Sequence, residues 1–474
     1  MSAPIRDLAR VTVELQSPLA IGSGAWDDLL DSPFVVDAND LPTLPGTSLA
    51  GVLRAAWLQA RGEAEAKKVF GHQERDQGEA SRVWISFGAI HGQDDRPVAP
   101  RMRHEDIERD PLLRLARVPL VRQHVRIDHR GAAEGHGLFD RSMVAAGHRF
   151  TFELEVRDED ESILRGLLGL FADGSVGLGA RTRSGLGALR LVQALGRRFD
   201  LRKKADREAY AEVPADLRID MPRGVLEPLQ PGATGPSTGE LVARLELRPR
   251  GFWMIGGGRP AEGAGKAPDI NPYREARVVW EKGQGRLDLD RLELVVPASA
   301  IKGALRHRAA FHLNRLQRRF ADQAGAALER FDGTNHPDVQ SLFGCMLEHD
   351  EGQAGRVRVG DLRFAKQPDS QRMTHVSLDR FTCGPVDGAL FEEEALWKGG
   401  PWQLEVRVQT GALGAGDKRV PDVPLEAREA LRLALEDLVG GRLQIGAGSG
   451  RGHGWLEGKL DWQGREGWLR GEEG

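Results

Sequence analysis

The sequence predicts two tandem α+β domains of one design, and three repeated motifs carry that prediction. Residues 44–54 read LPGTSLAGVLR and residues 296–306 read VPASAIKGALR. Residues 124–128 read HVRID and residues 375–379 read HVSLD, each followed by a Leu-Phe pair, Leu138-Phe139 and Leu390-Phe391. Residues 178–187 read LGARTRSGLG and residues 445–454 read IGAGSGRGHG. The marks lie 252, 251 and 267 residues apart, a nearly constant offset with differences of loop-insertion size. A repeat this long is a duplicated domain, because each copy can bury a core of its own. A chain of 474 residues is long for one core and comfortable for two. The expected layout is an N-terminal module over 1–200, a linker over 201–240 and a C-terminal module over 241–474.

The elements follow in order. Val11 to Leu15 and Leu241 to Leu247 alternate apolar and polar residues as half-buried strands do. Each is followed by a glycine-rich turn, IGSG at 21–24 and IGGG at 255–258. A helix is expected after Pro45-Gly46, capped by Thr47 or Ser48, with Leu49, Val52, Leu53, Ala56 and Trp57 on its buried face. The second copy uses Ser299 as cap and buries Ile301, Ala304, Leu305 and Ala309. Arg82 to Phe87 and Arg356 to Val359 read as strands, and Phe150 to Val156 and Trp402 to Val408 as central strands. Helices follow at Ser162 to Phe171 and Glu426 to Leu438, then the glycine-rich loop and a last strand. Strand, helix, two strands, helix, strand is the order of a ferredoxin-like domain, the layout of an RNA-recognition-motif fold. Between the copies, Pro231 to Gly239 has the Pro/Gly composition of a linker.

Composition narrows the function classes. Hydrophobic content of 40% and charged content of 29% are those of a soluble globular protein. The N-terminus lacks a signal-peptide core and no run is long enough to span a bilayer, so a cytoplasmic protein without membrane partners is expected. Cys345 and Cys383, without CxxC spacing, argue against a disulfide framework or a zinc site. A net charge of −4 does not announce a nucleic-acid binder, but a local basic stripe suffices to attract phosphates. Residues 101–130 hold eight arginines against five acidic residues and form such a stretch.

Four features carry chemistry. In the first glycine-rich loop Arg181 and Arg183 alternate with Thr182 and Ser184, and the second carries Ser449, Arg451 and His453. Glycine admits close approach of a phosphate to backbone N–H groups and arginine adds bidentate charge. One such loop is usually a tight turn; the same basic loop in both halves favours phosphate binding. Neither a Walker A ending nor a dinucleotide GxGxxG is present. The helix N-termini at Thr47, Ser48 and Ser299 offer free N–H groups and a positive dipole end, with Arg54, Lys302 and Arg306 in the first turns. His124 and Asp128, like His375 and Asp379, stand four apart on a strand, about 13 Å, too far for direct pairing. Stacking on RNA is the better use of the histidines, with Arg126 beside the first. Finally, WDDLLDSP at 26–33 places Asp27, Asp28 and Asp31 in one loop. That loop is either a solvated turn or a seat for a divalent cation or a ribose hydroxyl. Aligning Phe34-Val35-Val36 on Val278-Val279-Trp280 sets Glu275 opposite Asp31, with Asp269 upstream.

Together these blocks resemble the RAMP superfamily, whose members form the backbone of type III CRISPR–Cas effector complexes. The DSP…LPGTSLAGVLR block, HVRID with its Leu-Phe, and the GARTRSGLG loop carry the resemblance, twice over and across nearly the whole chain. It implies a modified RNA-recognition-motif palm and a hairpin thumb in each half, here Ile127 to Gly137 and Leu378 to Ala389. It implies subunits that grip a CRISPR guide RNA, with a thumb that displaces a nucleotide of the guide–target duplex. It also implies cutting of target single-stranded RNA by an aspartate, matched here by Asp31, with Mg2+ or another divalent cation held by Asp31. The tandem arrangement resembles the fused subunits of the type III-D group, with other type III effector subunits as partners. In that reading Asp31, Asp28 and Asp27, with Glu275 and Asp269 in the second module, are the catalytic candidates, and the C-terminal module cuts weakly or not at all unless Asp269 reaches in. Two other readings stand beside it. One is a nuclease-inactive guide-binding subunit. The other is a precursor-processing endoribonuclease, which ranks last because His453 is matched by Leu186 in the first loop.

Overall fold

A computed structural model describes residues 4–24, 33–74, 77–98, 101–128, 131–233, 240–258, 268–320, 322, 330–346, 352–364, 366–411 and 422–472. The N-terminal half runs β1 (Ile5–Leu15), α1 (Gly46–Arg61), β2 (Val83–Ile85), β3 (Leu120–Ile127), β4 (Ala133–Met143), β5 (Arg149–Val156), α2 (Ser162–Ala172) and β6 (Leu189–Asp200). After α3 (Lys204–Ala211) the C-terminal half runs β7 (Glu240–Pro249), α4 (Ala298–Leu316), β8 (Val357–Val359), β9 (Asp369–Leu378), β10 (Pro385–Trp397), β11 (Trp402–Gln409), α5 (Leu425–Val439) and β12 (Trp455–Gly464). The main strands are ordered β6-β1-β5-β2 in the first half and β12-β7-β11-β8 in the second. All of these pairings are antiparallel. With one helix after the first strand and one before the last, each half is a ferredoxin-like α+β domain.

Each half buries a separate core. Val11 and Val13 of β1 meet Leu49, Leu53 and Trp57 of α1 and Leu167 and Phe171 of α2. In the second half Leu245 and Val406 meet Ile301 and Leu305 of α4 and Leu431 and Leu435 of α5. Full burial of each such side chain contributes about 1.5–3 kcal/mol. The helices start two or three residues earlier than the expected caps. Pro45 and Pro297 are the N-cap residues and make no side-chain cap, so Thr47, Ser48 and Ser299 lie inside the first turns. Proline suits the boundary because its fixed φ leads into a helix.

The expected linker over 201–240 is folded for much of its length. Glu227–Pro228 pairs with β6, and Leu226 joins Leu8 and Phe199 in a small core with Tyr210, Val213 and Met221 packed on it. This segment covers the second face of β1, so even Arg10 is fully buried and donates to the carbonyls of Pro214 and Arg218. Of the Pro/Gly stretch, residues 234–239 lie outside the described residues.

Two hairpins, β3–β4 and β9–β10, stand apart from the main sheets and are longer than the thumbs expected from sequence. The aspartates of HVRID and HVSLD hold their tips. Asp128 Oδ1 accepts the Ala132 N–H at 2.9 Å, and Asp379 Oδ1 accepts those of Phe381 and Thr382 at 3.0 and 2.7 Å. The hairpins expose apolar residues, among them Val125 and Leu138 in the first and Leu378, Phe381 and Leu390 in the second.

The halves are joined through a buried ionic seam. Arg122 of β3 donates from Nε to Glu275 at 2.8 Å and from Nη2 to Asp361 at 2.9 Å. Glu275 also accepts from Tyr273 at 2.6 Å and Arg363 at 2.7 Å. Burial alone would depress the Arg122 guanidinium; Asp361 and Glu275 more than offset it and hold it above its ordinary value. A short hairpin, Val278–Glu281 with Gln284–Leu287, then clamps the first half. Trp280 Nε1 donates to the Gly147 carbonyl at 2.7 Å, Val278 N to that of Ala146 at 2.9 Å and Gly285 N to that of Gln93 at 2.7 Å. Arg122→Ala leaves Glu275 and Asp361 buried without their shared cation. It is expected to destabilise the protein by about 3–5 kcal/mol in denaturant unfolding, and a loss within error of zero would show that the seam lies elsewhere.

Candidate nucleic-acid interface

The same constellation stands at the base of each hairpin. His124 lies directly across the strands from Phe139 and stacks on it at 5.1 Å, with Arg181 of the glycine-rich loop over the same ring at 5.2 Å. His375 stacks on Phe391 at 5.0 Å, with Arg451 over that ring at 5.7 Å. The repeated His and Leu-Phe marks are therefore one side-chain pair, and the glycine-rich loop supplies its cation.

Both loops have one shape. Ala180 N donates to the Ala20 carbonyl at 2.7 Å, and Ala447 N to that of Met254 at 2.8 Å. A Cβ at Gly179 would stand 2.3 Å from the Ala20 oxygen and one at Gly446 2.2 Å from the Met254 oxygen, at φ of 81° and 96°. Only glycine fits both the contact and the left-handed backbone. The arginines come from different positions in that shared frame. Arg181 itself sits at φ 55° in the slot that Gly448 fills in the second loop.

Hydrogen bonds also fix the register of the acidic loop. Val35 N donates to the Ile21 carbonyl and Tyr273 N to the Ile255 carbonyl. Thr43 N then donates to the Val35 carbonyl and Val295 N to the Tyr273 carbonyl. Val35 thus corresponds to Tyr273. Counting back four residues sets Asp269, rather than Glu275, in the slot of Asp31. The sequence alignment on Val278-Val279-Trp280 is corrected by this register, because those residues belong to the inserted hairpin at the seam. Glu275 is buried, held below the usual carboxylate range despite burial by Arg122 and Arg363, and committed to the seam. Asp269 is exposed, and its Oδ2 accepts the Glu392 N–H at 2.8 Å, which ties it to the base of the second hairpin. Asp27, Asp28 and Asp31 lie outside the described residues. Their flanks are closed by Ser23 N to the Pro33 carbonyl at 2.9 Å, and this neck adjoins the loop of Arg181 through Ala20.

The other sequence candidates divide. Arg54 is exposed on α1 and has no ion-pair partner among the described residues, and Arg126 is exposed and pairs loosely with Glu134 at 3.4 Å. Lys302 is buried, and its Nζ donates to the carbonyls of Val357 at 2.8 Å and Arg183 at 3.2 Å. Burial, with Arg183, Arg306, Arg181 and Arg358 around it, lowers Lys302 to about 7. A neutral amine has two N–H donors, which the two carbonyls use. Arg306 donates to the Gly333 carbonyl and is depressed by burial. The N-terminus of α4 is not an open phosphate seat, because Asp361 Oδ1 accepts the Ala298 N–H at 2.8 Å. Arg183 lies between the modules, its carbonyl also facing Val359 N at 3.4 Å, its guanidinium depressed by burial and by Arg358. Arg183 and Arg358 thus concentrate positive charge along the seam, and Arg358 lines a cleft of about 340 Å³ there.

His124 is pushed down to about 4 by burial and by Arg181, Arg122 and Arg141. His453 is buried beside Phe252, depressed by burial although Glu393 opposes the shift. Arg141, Arg358 and Glu393 were absent from the sequence candidates. Arg141 and Glu393 stand two residues beyond the stacked Phe in each half, a signal available once the Leu-Phe marks are paired.

No group of three or more His, Cys, Asp or Glu side chains that could hold a metal occurs among the described residues. Magnesium usually keeps several waters and takes one or two carboxylates plus substrate phosphates, and exposed Asp269 is a single carboxylate of the kind such a donor set uses. Among the described residues no helix is long and apolar enough to cross a membrane.

No curated protein matches the chain. One solved structure with partial likeness is the "Cryo-EM structure of the Type III-B Cmr-beta bound to cognate target RNA", at 17% identity and a TM-score of 0.30. The match covers 40% of this chain and 60% of that one, so the chain spans about three-fifths of its length. The family model for the RAMP superfamily matches residues 12–190 and again residues 282–457, one match in each ferredoxin-like half. The chain is a double-module member of the RAMP superfamily.

Proposed function

We propose that this protein is a guide-RNA-binding backbone subunit of a type III CRISPR effector complex that cuts complementary target RNA. The observation that carries the RNA-binding reading is the repeated hairpin base, a His–Phe stack with a loop arginine over it. Such a site offers bases an aromatic platform and the backbone a cation. The exposed apolar residues beside it, Leu138 and Leu390, are the wedge candidates for displacing a nucleotide. The tandem modules support a fused subunit resembling the type III-D group, working in the cytoplasm with other effector subunits.

The cleavage chemistry rests on Asp31 and, by the corrected register, Asp269. A displaced nucleotide can align its 2′-hydroxyl with the adjacent phosphorus, and positioning removes much of the barrier. The aspartate takes the 2′-proton as the 2′-oxygen bonds to phosphorus. The bond to the 5′-oxygen breaks, and that oxygen takes a proton from water. The products are a 2′,3′-cyclic phosphate and a 5′-hydroxyl. A divalent cation, when bound by the aspartate and RNA phosphates, would stabilise charge on the phosphoryl oxygens.

In the assembled complex with guide and labelled target, Asp31→Ala is expected to slow one cut by about 100-fold or more and Asp269→Ala a second, guide binding being unchanged. A ladder untouched by both variants would leave a nuclease-inactive guide-binding subunit. Arg181→Ala combined with Arg183→Ala should lower the salt slope of RNA binding by about 0.7 per lost phosphate contact, measured by anisotropy across a potassium chloride series.

Lys302 adds a pH dependence. A nearby phosphate favours its charged form, so bound protein holds more protons than free protein above the free-state value of about 7. RNA affinity should therefore fall as pH rises from 7 to about 9, and Lys302→Met should flatten that fall. His124, at about 4 in the free protein, affects only a lower and separable window.

A further inference from the structure

The two hairpin bases share a frame and differ in one charge. In the C-terminal half Glu393 is fully buried, and its carboxylate accepts from His375 Nε2 at 2.9 Å and from Arg451 Nη2 at 2.5 Å, with His453 Nδ1 at 3.8 Å. An oxyanion is thus built into that module, held by hydrogen bonds from His375 and Arg451, with His453 close by but not bonded to it. In the N-terminal half the residue at the same place on the strand, two beyond the stacked Phe, is Arg141. There the corresponding ring nitrogen, His124 Nε2, is buried and has no hydrogen-bond partner, and neither has Arg141 Nε. Among the described residues no carboxylate lies within ion-pair distance of Arg141 or Arg181. The same imidazole, stacked on the same ring, meets an oxygen in one module and none in the other.

We propose that the N-terminal module binds an RNA backbone phosphate between His124, Arg141 and Arg181, in the slot that the Glu393 carboxylate fills in the C-terminal module. The inference rests on the RNA-binding reading above and adds to it a division of labour. The first hairpin base takes an anion from the nucleic acid. The second carries its own and contributes no net positive charge there. Neutral His124 suits the role, since an Nε2–H donates to a phosphate oxygen while the two guanidiniums supply the charge. Burying such donors without a partner costs free energy, and a phosphate removes that cost on binding.

The test uses the full-length protein and a labelled single-stranded polyuridylate, with affinity measured across a salt series. Glu393→Gln frees Arg451 while keeping a hydrogen-bond acceptor for His375, and it should steepen the salt slope by about 0.7. Arg141→Glu copies the second module into the first. It removes one cation and pairs another, so it should flatten the slope by about 1.4. Thermal melts of both variants establish folding, and Glu393→Arg, which copies the first module into the second, gives a further reading in the direction of Glu393→Gln. Wild-type protein that shows no salt-dependent RNA binding would remove the RNA reading and this inference with it. Wild-type binding with unchanged slopes in folded Arg141→Glu and Glu393→Gln would overturn the phosphate slot alone. Displacement of the polyuridylate by inorganic phosphate at constant ionic strength would assign the slot to a free anion and overturn the RNA assignment.

Discussion

Arg122 is enclosed with Glu275 and Asp361, both from the other half of the chain, and none of the three charges could be buried without the others. The other contacts between the modules, from Trp280 to Gly147 and from Lys302 to Arg183, are made on either side of this cluster. A buried ion pair is a poor source of net stability, because desolvation offsets most of the attraction, but it is intolerant of displacement. It therefore sets where the second module sits against β3, and β3 is also the strand that carries His124. The seam and the first hairpin base share one strand, so the orientation of the second half is coupled to the geometry of the candidate RNA site in the first.

The seam also defines what the glycine-rich loops do. The loop of the first half is held from behind by the second: Ser184 bridges to Val359, and Lys302 donates to the Arg183 carbonyl. A loop clamped by its own backbone leaves its side chains to face outward, which is what Arg181 does over Phe139. Lys302 reads in sequence as a phosphate ligand on a helix N-terminus. In the fold its amine is a structural donor whose charge is suppressed by burial and then by its arginine neighbours, and it can act on RNA only through the field it adds when protonated.

The frame of both domains was legible because periodicity and turn chemistry act locally. Strands β1, β5, β7 and β11 and helices α1, α2, α4 and α5 stand where alternation and helical spacing put them. The register of the acidic loop was not legible. Val278-Val279-Trp280 resembles Phe34-Val35-Val36 in pattern, but its apolar residues serve a hairpin that grips the first module, a tertiary use that no local pattern announces. Only the matched hydrogen bonds of Val35 and Tyr273 separate the two alignments. The fold of residues 201–233 was hidden for a related reason: a charged segment with few apolar residues still packs when it carries Leu226, Tyr210 and Met221 to an uncovered sheet face.

The charge difference between the hairpin bases has a physical reading that stability alone does not supply. A domain selected only for stability would satisfy His124 Nε2 and Arg141 Nε, since an unpartnered buried donor costs on the order of 1–3 kcal/mol. The second module shows how the stacked imidazole is satisfied within the same frame, with one glutamate accepting from His375. The first places an arginine at that position, which worsens the local repulsion and depresses both His124 and Arg181 through burial and like charge. What sets this place apart from other unpartnered buried nitrogens is that the unmet donors coincide with cations that no carboxylate pairs among the described residues, which fits a site whose partner comes from outside the chain. Since the unmet groups are donors and cations stacked around an aromatic ring, the partner they fit is an anion attached to something that stacks, and RNA meets both requirements.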